Sequence, residues 1–294
     1  MRDDDSGPTA LVFAGGGSLG AVQVGMLKSL VSSGFKPDLL IGSSVGAINA
    51  AYLAEQPSPR GVADLEALWL RLRRRDVFPL SPFRAVRSIV LTRSSLVSPL
   101  PLRRLLEKEL HLTSIEKSEI PLHIIVTRLL DGAETILSAG SAVEALLASA
   151  AIPGIFPPVE INGVAYVDGG VASNTPVAAA VELGARRVVV LPTGSPCAAE
   201  TPPTSGIGVA IHALNLLIMH QLIHNLAYYA DRVELVVVPP LCPLEHAVYD
   251  FSHTAELIER AEHSTRKWLE ASGLRRHGIP PGLVPHTHTT MSAA

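Results

Sequence analysis

The sequence predicts an α/β fold built on a mainly parallel central sheet. Three observations point there. Short apolar runs recur along the chain, each followed by a stretch of helical periodicity. Arg187-Val188-Val189-Val190-Leu191 is apolar on both faces, as a strand in the middle of a parallel sheet is. Two strand-to-helix junctions, at residues 15–20 and 42–46, are glycine-rich turns, the kind that carries ligands at the carboxyl edge of such sheets.

The elements follow in order. Strands are expected at 10–14, 38–42, 122–128, 133–138, 164–167, 186–191 and 233–238. Helices are expected at 19–33, 44–55, 62–75, 101–110, 141–150, 176–183, 207–228 and 252–272. Leu11-Val12-Phe13-Ala14 is the first apolar run, and Ala21, Val24, Met26, Leu27 and Leu30 then recur at helical spacing. Leu39-Leu40-Ile41 leads through a tight turn into the Ala-rich run Ala47-Ile48-Asn49-Ala50-Ala51. Thr175-Pro176 offers an N-cap followed by proline at the first helical position. The apolar window from Gly206 to Asn225 is interrupted by His212, Asn215, His220, Gln221 and His224, so it reads as a core or partly amphipathic helix, not a membrane span. No internal repeat is visible. The expected organisation is an N-terminal tail over 1–8, a main domain over 9–273 with 76–100 as a candidate lid or cap, and a flexible tail over 274–294.

Composition narrows the class. A chain of 294 residues that is 47% hydrophobic can bury a full α/β core. Its net charge of −3 is too mild to suggest a nucleic-acid partner, and no nucleic-acid-binding signature is present. Cys197 and Cys242 sit in Pro-rich loops and do not argue for an oxidising compartment. Met1-Arg2-Asp3-Asp4-Asp5 is acidic and unlike a secretory signal. The expectation is a cytoplasmic enzyme.

The chemistry concentrates in three segments. Gly42-Ser43-Ser44-Val45-Gly46 is G-x-S-x-G between a strand and a helix. A serine at its centre is held out at a helix N-terminus, where N–H groups favour developing negative charge. Ser44 therefore reads as a nucleophile, with an ordinary turn serine as the alternative. Gly15-Gly16-Gly17-Ser18-Leu19-Gly20 comes after the first strand and admits two readings. A dinucleotide loop needs an acid at the end of the next strand, but Asp38 stands at the start of it. An oxyanion hole needs only several N–H groups aimed at one oxygen, which consecutive glycines provide beside the nucleophile. The third segment, Asp168-Gly169-Gly170, is weak alone, because Asp-Gly is a common hairpin signal and Val164–Val167 with Val171 would suit a hairpin. Asp168 would otherwise orient or act as a base for the serine.

Taken together and in this order, these three segments resemble the signatures of the patatin-like phospholipase family. Ser149-Ala150-Ala151-Ile152-Pro153-Gly154-Ile155-Phe156-Pro157-Pro158 resembles the stretch that family carries before its aspartate, and Asn174-Thr175-Pro176 resembles the stretch after it. The resemblance covers about residues 9–192. It implies a three-layer α/β/α fold and lipid acyl hydrolase activity. It also implies a Ser–Asp dyad without a catalytic histidine, and no metal or organic cofactor. Carried over, Ser44 is the nucleophile, Asp168 the base, and Gly15, Gly16 and Gly17 line the oxyanion hole, with Gly20, Gly42, Gly46, Gly169 and Gly170 supporting the motifs. One departure is Leu19, where the family usually has Arg or Lys.

The residues alone also leave a histidine triad open, with His212, His220, His224, His246 and His253 as candidates in the chain order Ser, Asp, His. His220 and His224 fall on one helical turn, but Gln221 stands where the metalloprotease pattern has its Glu base, so no metal is expected there. Residues 71–104 carry nine arginines against the single acid Asp76, a local charge of +8 that leaves about −11 for the rest. A solvated surface is one reading of that segment. The other is peripheral contact with an anionic membrane through Arg84, Arg87 and Arg93. The expected function is hydrolysis of a lipid or acyl ester. An acyltransferase using the same site and a non-catalytic lipid-binding relative are the alternatives.

Overall fold

The computed structural model describes residues 7–78, 97–194, 204, 206–244, 246–280 and 283. The N-terminal six residues, Arg84, Arg87, Arg93 and most of the candidate cap, Cys197, and His286 and His288 in the C-terminal tail lie outside the described residues.

The strands are β1 (Thr9–Phe13), β2 (Leu39–Ser43), β3 (Leu122–Arg128), β4 (Glu134–Leu137), β5 (Val159–Ile161), β6 (Val164–Asp168), β7 (Arg187–Leu191) and β8 (Glu234–Val237). The helices are α1 (Gly20–Ser32), α2 (Val45–Glu55), α3 (Pro59–Arg71), α4 (Arg74–Val77), α5 (Leu100–Glu109), α6 (Ala142–Ser149), α7 (Gly170–Ser173), α8 (Val177–Glu182), α9 (Gly206–Tyr229) and α10 (Thr254–Glu270). Hydrogen-bonded neighbours in the sheet run β5, β6, β3, β2, β1, β7, β8, with β4 also on β3. The central pairs β3–β2, β2–β1, β1–β7 and β7–β8 are parallel, and the pairs β3–β4, β3–β6 and β5–β6 are antiparallel.

Side chains alternate across the sheet and build a core on each face. Leu11, Phe13, Leu40, Ile124, Val126, Val189 and Leu191 point into the larger core, with α1, α2, α3, α5, α6 and α10. Ala10, Val12, Ile41, Ile125, Val188 and Val190 point into the other, with α8 and the buried Leu222 and Leu226 of α9. The sheet is thus a layer between two helical layers, and its strands are apolar on both faces for that reason.

The register of β3 decides where the chemistry lies. β4 and β6 both pair with Val126 and Thr127, so they occupy opposite edges of β3. β4 and β2 both pair with Ile124 and Ile125, so β2 shares the edge that β6 uses. Ser43 stands against Ile125 and Asp168 against Val126. β2 and β6 therefore approach each other head-on along one edge and end at adjacent positions.

Some elements differ from expectation. The helix expected at 62–75 begins at Pro59 and breaks at Leu72, which turns extended (φ −60°, ψ 137°) and buries its side chain in the core. β5 and α7 were not expected. β5 pairs with β6 through a two-residue turn in which Asn162 and Gly163 have φ 52° and 77°. The hairpin closes there, and Asp168-Gly169-Gly170 instead leads from β6 into α7. In α9, Leu222 and Leu226 are buried while Val209, Leu216 and Leu217 are exposed, so the helix is amphipathic in its packing. No helix among the described residues is long and apolar enough to cross a membrane.

Candidate active site

Ser44 sits between β2 and α2 with φ 54° and ψ −129°, backbone torsions that a residue with a side chain rarely adopts. Surrounding contacts hold it there. Its N–H donates to Ser149 Oγ at 2.9 Å, and Ser149 Oγ donates onward to the Ile125 carbonyl at 2.6 Å. The neighbouring glycines are dictated by space. A Cβ on Gly46 would lie 2.5 Å from the Phe13 carbonyl oxygen, and one on Gly42 would lie 2.5 Å from Ala47 Cα. The first turn of α2 therefore rests directly on the backbone of β1 and β2, and the serine is pushed to the carboxyl edge of the sheet.

Asp168 closes on it from the other side. Ser44 Oγ donates to Asp168 Oδ2 at 2.7 Å, and Gly170 N–H donates to Asp168 Oδ1 at 2.7 Å. The aspartate's main chain is fixed as well: its N–H donates to the Ala151 carbonyl at 2.9 Å, and its carbonyl accepts from Thr127 Oγ1 at 2.8 Å. A Cβ on Gly169 would come within 2.7 Å of Ser43 Oγ, so the two turns touch. Burial pushes the Asp168 carboxyl up to about 6, against the opposing pull of the bonds from Ser44 and Gly170. The group is still mostly ionised at neutral pH, and more basic than an exposed carboxylate.

The glycine turn lies beside this pair. Gly15 N–H donates to the Asn174 carbonyl at 3.0 Å, and the Gly15 carbonyl accepts from Thr193 Oγ1 at 2.8 Å and Asn174 Nδ2 at 3.3 Å. Gly15 is thus tied into the scaffold and its N–H is already engaged. Gly17 has φ 58°, where glycine is at home. Ser18 N–H donates to the Val248 carbonyl at 2.8 Å. Among the described residues, the N–H groups of Gly16 and Gly17 have no hydrogen-bond partner. Gly20 is pressed between Val45 and Trp69. Leu19 is fully buried in the larger core, where an unpaired Arg or Lys would be costly to place.

Ser44 and Gly17 line a pocket of about 60 Å³ whose other walls are apolar, among them Ile48, Leu65, Trp69, Leu106, Phe156 and Phe251. Trp69 stacks on Phe251 at 6.2 Å, and Phe78 on Phe156 at 5.7 Å. Such walls suit a hydrocarbon chain and offer no counter-charge.

The remaining candidates fall elsewhere. His212, His220 and His224 are exposed on α9, and His246 and His253 stack on each other. Among the described residues, the Asp168 carboxylate bonds only to Ser44 and Gly170. Asp38 Oδ2 accepts from Thr9 N–H at 2.8 Å at the amino ends of β1 and β2, the edge opposite the glycine turn.

Ser149, Asn174, Thr193 and Thr127 had no role assigned from the sequence. A further buried network was also unassigned. Gln23 Nε2 donates to the Ala14 and Leu191 carbonyls at 2.8 and 2.9 Å. Asn49 Nδ2 donates to Gln23 Oε1 and to the Gly20 carbonyl, and Asn49 Oδ1 accepts from Trp69 Nε1 at 2.9 Å. The only sequence signal was a lone amide in each of two apolar helices.

The profile of the patatin-like phospholipase family matches residues 11–181, well over half of the chain and including all three motif segments. The chain belongs to that family. Among curated relatives, lysophospholipase NTE1 of Cryptococcus neoformans is 28% identical over 299 residues, covering 93% of this chain and 18% of its own length. Patatin-like phospholipase domain-containing protein 7 of Rattus norvegicus is 27% identical over 188 residues, covering 63% of this chain and 14% of its own length. The patatin-like chain therefore spans under a fifth of those relatives. Among solved structures, human GIVD cytosolic phospholipase A2 superposes with a TM-score of 0.52 at 11% identity, covering 97% of this chain and 64% of that one. That likeness is one of fold.

Proposed function

We propose that this patatin-like chain is a serine hydrolase of lipid acyl esters, with Ser44 as nucleophile and Asp168 as general base. The observation that carries the reading is the 2.7 Å hydrogen bond from Ser44 Oγ to a buried aspartate of raised pKa. Ser44 Oγ adds to the ester carbonyl carbon as its proton passes to Asp168 Oδ2. The carbonyl oxygen, now negative, is held by the free N–H groups of Gly16 and Gly17, while Gly15 anchors the turn. Collapse expels the alcohol, which takes the proton from Asp168, and leaves Ser44 acylated. Water then attacks the acyl-enzyme, giving its proton to Asp168, and the fatty acid leaves as Ser44 is restored. The apolar pocket takes the acyl chain. The family and the lysophospholipase names among its relatives support a lipid ester as substrate. The arginines Arg84, Arg87 and Arg93 would bring the enzyme to an anionic lipid surface.

Fatty-acid release from p-nitrophenyl acyl esters and mixed phospholipid dispersions tests the reading. Wild type should turn over, and Ser44→Ala and Asp168→Asn should lose activity while remaining folded. Substantial activity in Asp168→Asn would favour a histidine base, and an inert wild type would favour a binding protein.

A further inference from the structure

Residues 246–256 gather three metal-type donors away from the Ser44–Asp168 pair. His246 Nε2 lies 3.6 Å from Glu256 Oε2, and His253 Nδ1 lies 3.3 Å from the same oxygen. The two imidazoles stack with 3.8 Å between centroids and 13° between planes. One donor atom from each of the three residues lies within 4.8 Å of the others. Around a tetrahedral ion with bonds of about 2.0–2.1 Å, neighbouring donors stand roughly 3.3–3.4 Å apart. Two donor separations thus match such an ion, and the rings, now face to face, would turn about their Cβ–Cγ bonds to aim both nitrogens at it. The surrounding groups favour it too. Arg260 Nη1 donates to Glu256 Oε1 at 3.0 Å, which leaves Oε2 for the histidines. Asp250 Oδ2 lies 3.7 Å from His253 Nε2, the nitrogen that stays protonated when Nδ1 binds a metal. A carboxylate in that position orients a metal-bound imidazole. Two imidazoles and one carboxylate with a fourth position open are a zinc-type donor set.

The place of the cluster gives it a consequence. Ala247 and Val248, between the two histidines, accept hydrogen bonds from Ser18 Oγ and Ser18 N–H. Phe251, in the same stretch, lines the pocket and stacks on Trp69. We propose that His246, His253 and Glu256 bind a divalent ion of the zinc class, which clamps this segment to the start of α10 and so steadies the glycine turn. The binding stands on the donor geometry alone, and the effect on the turn rests on the hydrolase reading.

The test is zinc titration of the chelator-stripped full chain against a chromophoric competitor, alongside His253→Ala and the shape-conserving Glu256→Gln. Wild type should take up one more ion per chain than either variant, with that site weakened beyond the roughly 10- to 100-fold that loss of an outer-shell partner causes. Zinc should raise the melting temperature of wild type and not of the variants. A His220→Ala/His224→Ala chain should behave as wild type. Ser44→Ala should also bind zinc as wild type does, which separates this result from the fate of the hydrolase reading. Equal uptake by wild type and both cluster variants, or no uptake by wild type, would overturn the proposal.

Discussion

At Asp168, burial and hydrogen bonding pull in opposite directions, and burial wins. The carboxyl is raised from about 4 in an unfolded chain to about 6 in the fold. That one shift has two consequences. As the base proposed above, Asp168 works only when ionised, so kcat/KM for acyl-ester hydrolysis should level off above about pH 6 and fall about tenfold per unit below it. A pH profile of fatty-acid release measures this, and an inflection near 7 would point to histidine instead. The second consequence concerns stability. The fold favours the neutral acid, so its contribution is fully present below about pH 4 and is lost as pH rises through about 6. The shift is about two units, or roughly 3 kcal/mol of cost at pH 8. Asp168→Asn, which cannot ionise, should therefore unfold at higher denaturant than wild type at pH 8, with the gap closing by pH 4. Equal midpoints at pH 8 would mean that the carboxylate is better solvated than its position suggests. At this scale the sequence was partly legible. The glycine spacing around Ser44 marks a strand–turn–helix by itself. The pairing with Asp168 spans 124 residues and has no spacing rule, so the residues alone offer Asp168 only as one reading of a turn signal and the family resemblance singles it out. Ser149 and Asn174 act through side-chain hydrogen bonds to backbone, which no pattern announces.

Among the elements, α1, α2 and α3 are locked together by polar contacts inside an apolar layer. Asn49 is fully buried and serves three groups at once: Trp69 Nε1–H, Gln23 Oε1 and the Gly20 carbonyl. Gln23 in turn donates to the Ala14 and Leu191 carbonyls, at the ends of β1 and β7. Asn49→Leu would keep the branched shape and leave Trp69 Nε1–H and Gln23 Oε1 unpaired, at about 1–3 kcal/mol each before relaxation. A loss of about 3–5 kcal/mol in urea unfolding is expected, and a loss under 1 kcal/mol would show that water or repacking replaces the amide. The long strands and helices were readable because burial on both faces writes continuous apolar runs. β5 was not, because Val159-Glu160-Ile161 is a short edge strand without such a run. The Asp-Gly signal at 168–169 also competes with a stronger one at Asn162-Gly163, and the stronger one makes the hairpin.

For the whole molecule, the question is how a chain of net charge −3 would meet the lipid surface proposed for it. The arginine-rich stretch 71–104 is the one strongly positive region of the sequence, and part of it is already used within the fold. Arg71 Nη2 bonds Glu109 at 3.0 Å, Arg103 Nη2 bonds Glu144 at 2.9 Å, and the Arg74 guanidinium lies over the Tyr249 ring. These cations position α3, α4 and α5, and contribute less to any outside surface. The membrane contact proposed above therefore falls to Arg84, Arg87 and Arg93. Each basic residue near an anionic surface is worth about 1 kcal/mol, so removing three should weaken vesicle binding by roughly 3 kcal/mol, on the order of 100-fold. Flotation with vesicles of graded phosphatidylglycerol content measures it. Binding should rise with the anionic fraction, fall with salt over the range where the Debye length shrinks, and collapse in the triple variant Arg84→Glu/Arg87→Glu/Arg93→Glu. Turnover of a soluble p-nitrophenyl ester, which involves no lipid surface, should fall far less in that variant than turnover of vesicle lipid. Binding that ignores the anionic fraction, or survives charge reversal, would leave the apolar side chains of the same stretch as the contact and remove electrostatics from the account.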